Sequence, residues 1–333
     1  MIPQSFGRYL IKNEIARGGM ATVYSAFDPR FERQVAIKVL QCESVRDMVS
    51  RARFAQEAKI IASLEHPAIV PVYDYGEQDS RPYLVMRFMP GGTLAQRLSH
   101  GAVSPREAMH LLERVAPALD KAHQQDIVHR DLKPSNLLFD LEGNPYLSDF
   151  GIARFSQSVV TLTGEEILGT AAYMSPEQVK GERNLDKSSD IYALGVVLFE
   201  MLTGQLPYPA ETTLGMAMRH VLDPVPSVRQ IEPGLPPQIE TLIKKAMAKE
   251  RQARYASVSA LAEAIAEVVS ALPGDRSALQ ETGVVSEVRP SGDARIAPEP
   301  GEVCANCGYD LSKVNGPCPV CGGTRRLMKP FQR

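Results

Sequence analysis

The segment from His129 to Asn136 constrains this chain more than any other, because polar residues with chemical functions stand there between hydrophobic neighbours. It reads His-Arg-Asp-Leu-Lys-Pro-Ser-Asn, with Ile-Val before it and Leu-Leu-Phe after it. A solvated turn needs no such apolar anchoring, whereas a loop that holds charged groups in fixed positions does. The segment therefore predicts a rigidly held loop that carries out chemistry.

The spacing of the polar groups in this loop suits phosphoryl transfer. The carboxylate of Asp131 can accept a proton from an attacking hydroxyl group, and Lys133 can neutralise charge on the moving phosphoryl group. The amide oxygen of Asn136 can bind a metal ion, which then needs a carboxylate from a second side. Asp149 is the candidate for that carboxylate, because it follows shortly afterwards in the sequence Asp-Phe-Gly.

A predicted β-hairpin joins the two motifs, with strands at Leu137 to Phe139 and at Tyr146 to Ser148. In this order, the loop and Asp149-Phe150-Gly151 resemble the catalytic-loop and metal-loop signatures of the protein kinases. The resemblance implies an α+β fold with a small, β-rich N-lobe that carries one long helix, and a larger, mostly helical C-lobe. It also implies ATP and Mg²⁺ or Mn²⁺ as cofactors, with Asn136 and Asp149 as metal ligands. The alternative interpretation is an acidic loop with a structural role only.

Length and composition favour a soluble globular protein. The 333 residues suffice for one large two-lobed domain and a small second module. A net charge of -2 and a hydrophobic content of 44% argue against polyanion binding, and the longest apolar run, Ile191 to Leu202, is too short to cross a bilayer. No charged and then apolar leader opens the chain, and four of its five cysteines fall in the last thirty residues. These features favour a cytoplasmic location without membrane contact over export.

Alternating hydrophobicity from Tyr9 to Val39 predicts strands, with a turn at Gly18 and Gly19. In the kinase family this hairpin covers the phosphates of the nucleotide. The chain departs from the usual three-glycine pattern, because Ala16 and Ala21 occupy the first and third positions. Each alanine adds only a methyl group, so we expect altered nucleotide affinity and not its loss. By resemblance, the nucleotide site comprises Ile15, Ala16, Arg17, Gly18, Gly19, Val23, Ala36, Lys38, Met86, Arg87 and Met89.

A strand predicted at Val35 to Lys38 ends in a cation, and the resemblance implies that Lys38 reaches the first two phosphates. Glu57 would pair with this lysine from a helix predicted between Val45 and Leu64. Two further strands are predicted at Val70 to Tyr75 and Tyr83 to Met86, before a hinge at residues 87–92. By resemblance, Met86 lies at the back of the adenine pocket, and the backbone of Arg87 and Met89 bonds the adenine edge.

The C-lobe helices are predicted from caps and periodicity. Ser104 to Glu107 forms a capping box with proline at the first helical position, and it predicts a helix to about Gln125 that Pro117 should kink. Further helices are predicted from Asp190 to Leu202, near Pro237 to Lys249 and from Ser257 to Ala271.

The kinase resemblance assigns structural roles to several residues outside the reacting groups. It implies that His129 packs near Phe150 and that Asp190 braces the backbone of the catalytic loop. It also implies a buried ion pair between Glu177 and Arg254, because a single buried charge would be too costly.

The residues between 151 and 170 would form the activation segment of a kinase. Arg130 precedes the catalytic aspartate, and in kinases with this arginine a phosphate on the segment often pairs with it. We predict that Thr161 or Thr163 is phosphorylated, by the kinase itself; the alternative is that these hydroxyls only contact solvent. Thr170 would bridge Asp131 and Lys133, a set found where the acceptor is serine or threonine.

The C-terminal region differs in composition. Residues 272–302 lose hydrophobic periodicity and gain Pro, Gly, Ser and charge, which predicts a flexible linker. Two Cys-x-x-Cys-Gly turns follow, and residues 303–327 resemble a zinc ribbon. The predicted zinc ligands are Cys304, Cys307, Cys318 and Cys321. A redox dithiol pair or an iron centre are the alternatives, and a weakly basic surface favours protein docking over nucleic-acid binding.

The motifs from residue 8 to about 270 predict a kinase domain, with an N-lobe at 8–86, the hinge at 87–92 and a C-lobe at 93–270. Gly19-Met20 and the segment Tyr173 to Gln178 are most similar to the eukaryotic-like Ser/Thr protein kinases of bacteria. The resemblance implies phosphorylation of protein substrates in intracellular signalling and autophosphorylation, for which a homodimer would allow transfer in trans. The alternatives are a pseudokinase that acts as a scaffold through its zinc ribbon, and a small-molecule kinase of similar fold.

Overall fold

The structure is a computed structural model that describes residues 3–18, 21–40, 58–59, 62–150 and 171–272, and the backbone of 302–304 and 326–328. It divides into two compact units, Met1–Pro273 and Gly274–Arg333. In the second unit, the short strands β9 (Glu302–Cys304) and β10 (Arg326–Met328) pair in antiparallel fashion, with residue 304 opposite residue 326.

The N-lobe contains a six-stranded antiparallel sheet with the strand order β1-β2-β3-β4-β6-β5. Its strands are β1 (Ser5–Phe6), β2 (Tyr9–Arg17), β3 (Ala21–Asp28), β4 (Arg33–Leu40), β5 (Val72–Gln78) and β6 (Arg81–Arg87). The central strands β4 and β6 are buried along most of their length, whereas the edge strand β5 alternates between half-buried and exposed positions. A two-residue turn joins β5 and β6, and both Asp79 and Ser80 have positive φ values, as in a type I′ hairpin.

The strand predicted from Val70 begins at Val72 instead. Val70 donates its backbone N–H to the carbonyl of Leu147, 2.9 Å away, so the segment before β5 pairs with the C-lobe hairpin. Pro71 has no backbone N–H and therefore cannot donate a hydrogen bond to a neighbouring strand. The sequence prediction was wrong here because the alternation of residues does not reveal which strand a backbone group will pair with.

The C-lobe is built mainly from helices and a small hairpin. Its helices are α1 (Leu94–Leu98), α2 (Pro105–His123), α3 (Pro176–Val179), α4 (Lys187–Thr203), α5 (Thr213–Leu222), α6 (Val228–Ile231), α7 (Pro237–Ala246) and α8 (Val258–Ser270). Helix α4 is buried along nearly its whole length, which places it at the centre of the lobe. Among the residues that the structure describes, none of the helices is long and apolar enough to cross a membrane.

Helix α2 has the capping box predicted for it. The Ser104 hydroxyl accepts a hydrogen bond from the backbone N–H of Glu107, whose carboxylate accepts one from the N–H of Ser104 in return. The helix contains Pro117 and ends at His123, two residues before the predicted end. Its buried face packs in the core that it shares with α4 and α8.

Several helix boundaries differ from the sequence predictions. Helix α4 begins at Lys187, not at Asp190, because Asp186 caps it by accepting a hydrogen bond from the N–H of Ser188. Asp190 therefore lies within the first turn, where its carboxylate is free to hold another segment. Helix α7 ends at Ala246, three residues early, whereas α8 begins after the cap residue Ser257, one residue from its predicted start.

The hairpin between the two predicted metal ligands consists of β7 (Leu137–Phe139) and β8 (Pro145–Leu147). The second strand lies one residue earlier than predicted, although Ser148 still donates its N–H to the carbonyl of Asn136, the last residue of a 3-10 turn. In the turn, the Asp140 carboxylate accepts a hydrogen bond from the N–H of Asn144, 2.8 Å away, and Gly143 has φ +83°. Of the helix predicted between Val45 and Leu64, the structure describes five residues: 58, 59, 62 and 63 are helical, whereas Leu64 already lies beyond the helix.

Candidate active site

The catalytic loop is fixed by a carboxylate buried in α4. Asp190 accepts a hydrogen bond from the backbone N–H of His129 through Oδ2 and one from the N–H of Arg130 through Oδ1, each at 2.8 Å. Arg130 has φ +68°, in the left-handed region that a non-glycine residue rarely adopts. The two bonds from one buried side chain stabilise this backbone conformation, as the prediction of a bracing Asp190 required.

His129 is fully buried and packs on Phe150, with the ring centroids 4.6 Å apart and the rings tilted by 44°. Its Nε2 lies 2.8 Å from the carbonyl oxygen of Ser148 and therefore donates to it, because a carbonyl can only accept. The side chain thus connects the catalytic loop to the residue before Asp149. The Gln178 amide, in α3, donates to the carbonyl of Arg130 at 2.7 Å and holds the loop from the other side.

Asp131, Lys133 and Asn136 converge on one another. The Lys133 ammonium lies 3.0 Å from the Asp131 carboxylate, and the Asn136 amide nitrogen donates to the same carboxylate at 3.1 Å. The amide also donates to the backbone carbonyl of Asp131 at 2.7 Å. Because both amide protons point at Asp131, the orientation of the Asn136 side chain is fixed and its oxygen faces away from that residue.

The second ionic contact of the site involves Lys38, whose ammonium group lies 2.8 Å from the carboxylate of Asp149. Burial alone would raise the pKa of Asp149, but the charge and hydrogen bond of Lys38 hold that pKa below its ordinary value, with smaller contributions from His129 and Lys133. Asp149 has φ +61°, a second strained backbone position in the site. Glu57, the partner predicted for Lys38, lies outside the described residues.

The strands and hinge of the predicted nucleotide site lie next to one another in the sheet. Val23 on β3 is opposite Lys38 on β4, and Ala36 on β4 is opposite Met86 on β6. Ala36, Met86 and Met89 are buried, whereas Ile15 is half exposed. Ala16 and Arg17 belong to β2, and Gly18 closes the turn by donating its N–H to the carbonyl of Ala21.

The predicted ion pair between Glu177 and Arg254 is present and buried. Two guanidinium nitrogens of Arg254 donate to the two carboxylate oxygens, at 2.7 and 2.9 Å, and the Ser189 hydroxyl donates to one of them. Burial would raise the pKa of Glu177, but these bonds and the charge of Arg254 lower it to about 2. The pair connects α3 to the segment before α8.

Several predicted site residues lie outside the described part of the chain. They are Gly19, Glu57, Thr161, Thr163, Thr170, Cys307, Cys318 and Cys321. For Cys304, only the backbone is described.

Sequence reasoning missed His123, at the end of α2. Its Nε2 lies 2.7 Å from Oδ2 of Asp190, the same carboxylate that holds the catalytic loop. Burial would lower the pKa of His123, but Asp120 and Asp190 raise it to about 9, so the imidazole carries a charge at neutral pH. A histidine six residues before the catalytic loop, on the helix that delivers it, was the available signal.

The two-lobed kinases have a small lobe built on a sheet and a larger helical lobe, and acidic and basic groups from separate chain segments meet between the two lobes. The structure described above has this arrangement. The structure is similar to the crystal structure of the PknI kinase domain of Mycobacterium tuberculosis, with a TM-score of 0.65 and 25% identity. The similarity covers 81% of this chain and 99% of that domain.

The model of the protein kinase domain family matches residues 9–266, and the chain belongs to this family. It is 41% identical to the serine/threonine-protein kinase PrkC of Bacillus subtilis over 271 residues, which are 81% of this chain and 41% of that protein. It is 40% identical to a probable serine/threonine-protein kinase, PknB of Lactococcus lactis, over 79% of this chain and 42% of that protein. The chain therefore spans about two fifths of the length of these relatives. For the serine/threonine-protein kinase PknL of M. tuberculosis, at 41% identity, the shares are 80% and 67%.

Proposed function

We propose that this chain is an ATP-dependent protein serine/threonine kinase, which transfers the γ-phosphoryl group of ATP to hydroxyl groups of protein substrates. The main observation that supports the proposal is a pair of ionic contacts, one between Lys38 and Asp149 and the other between Lys133 and Asp131. Lys133 also lowers the pKa of Asp149, so the two contacts belong to one electrostatic site. The names of the relatives support the assignment to serine and threonine acceptors.

In this proposal, Asp131 accepts the proton of the substrate hydroxyl as the oxygen attacks phosphorus. Lys133, 3.0 Å from that carboxylate, stabilises the negative charge of the transferring group and of Asp131 itself. Lys38 would hold the preceding phosphates, and Thr170 would bridge Asp131 and Lys133. Because the groups are fixed before the substrate arrives, most of the rate enhancement would come from positioning and charge stabilisation.

The residues that would hold Mg²⁺ or Mn²⁺ are Asn136 and Asp149. They fit the ion chemically, because both offer oxygen ligands, Asp149 stays ionised and the Asn136 oxygen is directed away from Asp131. When bound, the ion would neutralise charge on the phosphates of the nucleotide. The nucleotide itself would lie against Ile15 to Gly19, Val23, Ala36 and Met86, with its adenine edge bonded by the backbone of the hinge.

The proposal includes regulation by the activation segment. Phosphorylation of Thr161 or Thr163 by the kinase itself would supply an anion for Arg130, whose backbone Asp190 and Gln178 already hold. A homodimer would let one copy phosphorylate the other. Mass spectrometry of active protein would test this, and a fully active protein without phosphate on either threonine would contradict it.

We also propose that residues 303–327 form a zinc module after a linker at 272–302, and that residues 8–270 form the kinase domain. The pairing of β9 with β10 supports the module, because it closes the chain between residues 304 and 326, which carries the other three cysteines. Four thiolates suit tetrahedral Zn²⁺, and thiolates persist in a reducing compartment such as the cytoplasm.

The competing function is a pseudokinase scaffold, which Ala16 and Ala21 favour because they replace glycines of the phosphate-binding turn. Incubation of the purified chain with labelled ATP, Mg²⁺ and a generic protein substrate separates the two. A kinase labels the substrate and its Asp131→Asn variant does not, whereas a pseudokinase binds ATP without labelling in either form. Labelling of small metabolites and not of protein would instead indicate a small-molecule kinase.

A further inference from the structure

Tyr146, on strand β8, lies where both chain segments that connect the lobes meet the C-lobe. One segment is the hinge, which begins at Arg87, and the other is the stretch from Pro67 to Pro71 before β5. Tyr146 is buried, with 8% of its surface exposed. No catalytic role in the proposed mechanism involves it.

The hinge contacts Tyr146 through a side chain. The Arg87 guanidinium donates from Nη1 to the phenolic oxygen at 3.3 Å, and its central carbon lies 5.3 Å from the ring centroid. The phenol in turn donates to the buried carboxylate of Asp140 at 3.2 Å, so its oxygen both accepts and donates. A charged donor, a phenol and a buried carboxylate thus form a continuous chain from the hinge to the turn between β7 and β8.

The second connecting segment is linked to the same ring through Arg114. Arg114, on α2, lies 5.8 Å from the Tyr146 centroid and donates from Nη2 to the carbonyl of Pro67 at 2.9 Å. Leu147, next to Tyr146, donates to the carbonyl of Ala68 and accepts from Val70. Arg87 also joins the two segments directly, because its backbone N–H donates to the carbonyl of Pro71 at 2.9 Å.

The hairpin that carries Tyr146 also positions the proposed metal ligands. Asn136 ends the short 3-10 turn immediately before β7, and Asp149 follows β8 with only Ser148 in between. The hinge would bind adenine, whereas Asn136 and Asp149 would bind the metal on the phosphates. A bound nucleotide would contact both the hinge and the metal ligands. It binds well only when the distance between these two sites is fixed in advance, because any flexibility between them must be lost on binding.

We propose that Arg87, Tyr146 and Arg114 act as positioning residues that fix the hinge against the metal-binding hairpin and so set the affinity for nucleotide. This inference rests on the proposed kinase function. Tyr146 would act through its ring and hydroxyl group, and Arg87 through its side chain, independently of the backbone contact to adenine.

The test uses the full chain with the variants Arg87→Gln, Tyr146→Phe, Arg87→Lys, Arg114→Gln and the double variant Arg87→Gln/Tyr146→Phe. Arg81→Gln is the matched control, because it removes a guanidinium 5.4 Å from the Phe6 ring within the N-lobe sheet, away from the connections. The readouts are the Kd for ADP, the KM for ATP, kcat at saturating ATP and the melting temperature.

We expect Arg87→Gln and Tyr146→Phe each to raise the Kd for ADP and the KM for ATP by roughly threefold to tenfold, with kcat within about twofold, as loss of one charge-assisted contact allows. The double variant should be weaker by less than the product of the two single effects, because both substitutions remove the hydrogen bond between Arg87 and Tyr146. Arg87→Lys should recover part of the affinity, Arg114→Gln should shift it in the same direction, and Arg81→Gln should leave it unchanged.

Unchanged nucleotide affinity in both single variants, additive effects in the double variant, or an equal shift in Arg81→Gln would overturn the inference. So would a lower melting temperature without a change in affinity, which indicates a structural role only. If the unmodified chain bound no nucleotide, the proposed function itself would fail. The affinity of the unmodified chain is therefore measured first.

Discussion

At the scale of single residues, the site places Asp131, the proposed proton acceptor, next to the ammonium group of Lys133. Asp131 has the Lys133 ammonium at 3.0 Å and the Asn136 amide at 3.1 Å, so both of its neighbours donate to it. Replacing the carboxylate by an amide preserves the shape of the side chain and removes its ability to take a proton. Catalysis and nucleotide binding should therefore respond differently to this change.

Asp131→Asn should lower kcat by roughly a thousandfold or more, since general-base and charge contributions are lost together, while the Kd for ATP stays within about twofold. Asp126→Asn is the control, because Asp126 is exposed five residues earlier, with φ +58°, a conformation that asparagine tolerates. Phosphate transfer to a generic protein and equilibrium nucleotide binding are the two measurements. A variant that kept most of its kcat would remove Asp131 from the proposed mechanism.

The alanines of the hairpin that we propose covers the nucleotide phosphates allow a second test at this scale. Ala16 lies opposite Val23 in the ladder, and Ala21 accepts the N–H of Gly18 that closes the turn. In the variant Ala16→Gly/Ala21→Gly, removal of two methyl groups should let the backbone approach the phosphates and lower the KM for ATP by roughly twofold to fivefold. An unchanged KM would show that the methyl groups do not limit nucleotide binding.

His123 predicts a dependence of stability on pH. Its pKa is raised from an ordinary value near 6.5 to about 9 by Asp120 and Asp190, against the effect of burial. A raised pKa means that the protonated form stabilises the folded state fully below about pH 6.5 and that this stabilisation is lost as the pH rises through about 9. The free energy of unfolding should therefore fall between pH 7 and pH 9.5, by on the order of 1–3 kcal/mol.

His123→Gln should remove that decrease, because glutamine can donate to Asp190 but does not titrate. His110→Gln is the control on the same helix, since the His110 side chain is 64% exposed. Urea unfolding at several pH values measures the effect. Parallel pH profiles for His123→Gln and the unmodified chain would contradict the assignment.

At the scale of elements, a buried ion pair fixes helix α3 to the segment before α8. Glu177 and Arg254 are both buried, and Arg254 also donates to the carbonyls of Ser188, Ala248 and Lys249. Removal of one partner leaves the other as an uncompensated buried charge. Glu177→Ala should therefore lower the free energy of unfolding by about 3–5 kcal/mol.

The neighbouring pair of Arg251 with Glu182 provides a matched comparison, because the Glu182 side chain is 46% exposed. Glu182→Ala should cost less than about 1 kcal/mol, the usual range for exposed pairs. Chemical denaturation of both variants gives the two values. Equal losses would mean that the Glu177 pair is no more desolvated than the exposed one.

How much of the molecule could be predicted depended on the kind of information each position required. The catalytic and metal loops were predicted because their chemistry demands fixed residue types at fixed spacing, as at Asp131 and Asn136. Pairings between distant segments were not: the start of β5 and the contact of His123 with Asp190 depend on tertiary geometry. Local sequence patterns indicate which residues need a hydrogen-bond or ionic partner, but not which distant residue the fold places next to them.

At the scale of the whole molecule, the chain consists of two compact units of very different size. The first has a large hydrophobic core that joins the helices of the C-lobe to part of the sheet. The second spans residues 274–333 and contains four cysteines, which in the proposed zinc module would bind a metal ion that stabilises this small unit. Metal removal should therefore affect the two units differently.

Prolonged chelation of the purified chain should release about one Zn²⁺ per chain, detected with a colorimetric indicator, because four thiolates bind one tetrahedral ion. Cys304→Ser/Cys307→Ser should release none, and Cys42→Ser, the control outside the cluster, should release the full amount. The melting temperature of the kinase unit and its kcat on a generic protein should remain within error in every case, because a separate unit's metal does not contribute to the first unit's core. Zinc release from the double serine variant would show that the cysteines are not the ligands. Loss of kcat when the metal is removed and Mg²⁺ is resupplied would show that the two units do not act independently.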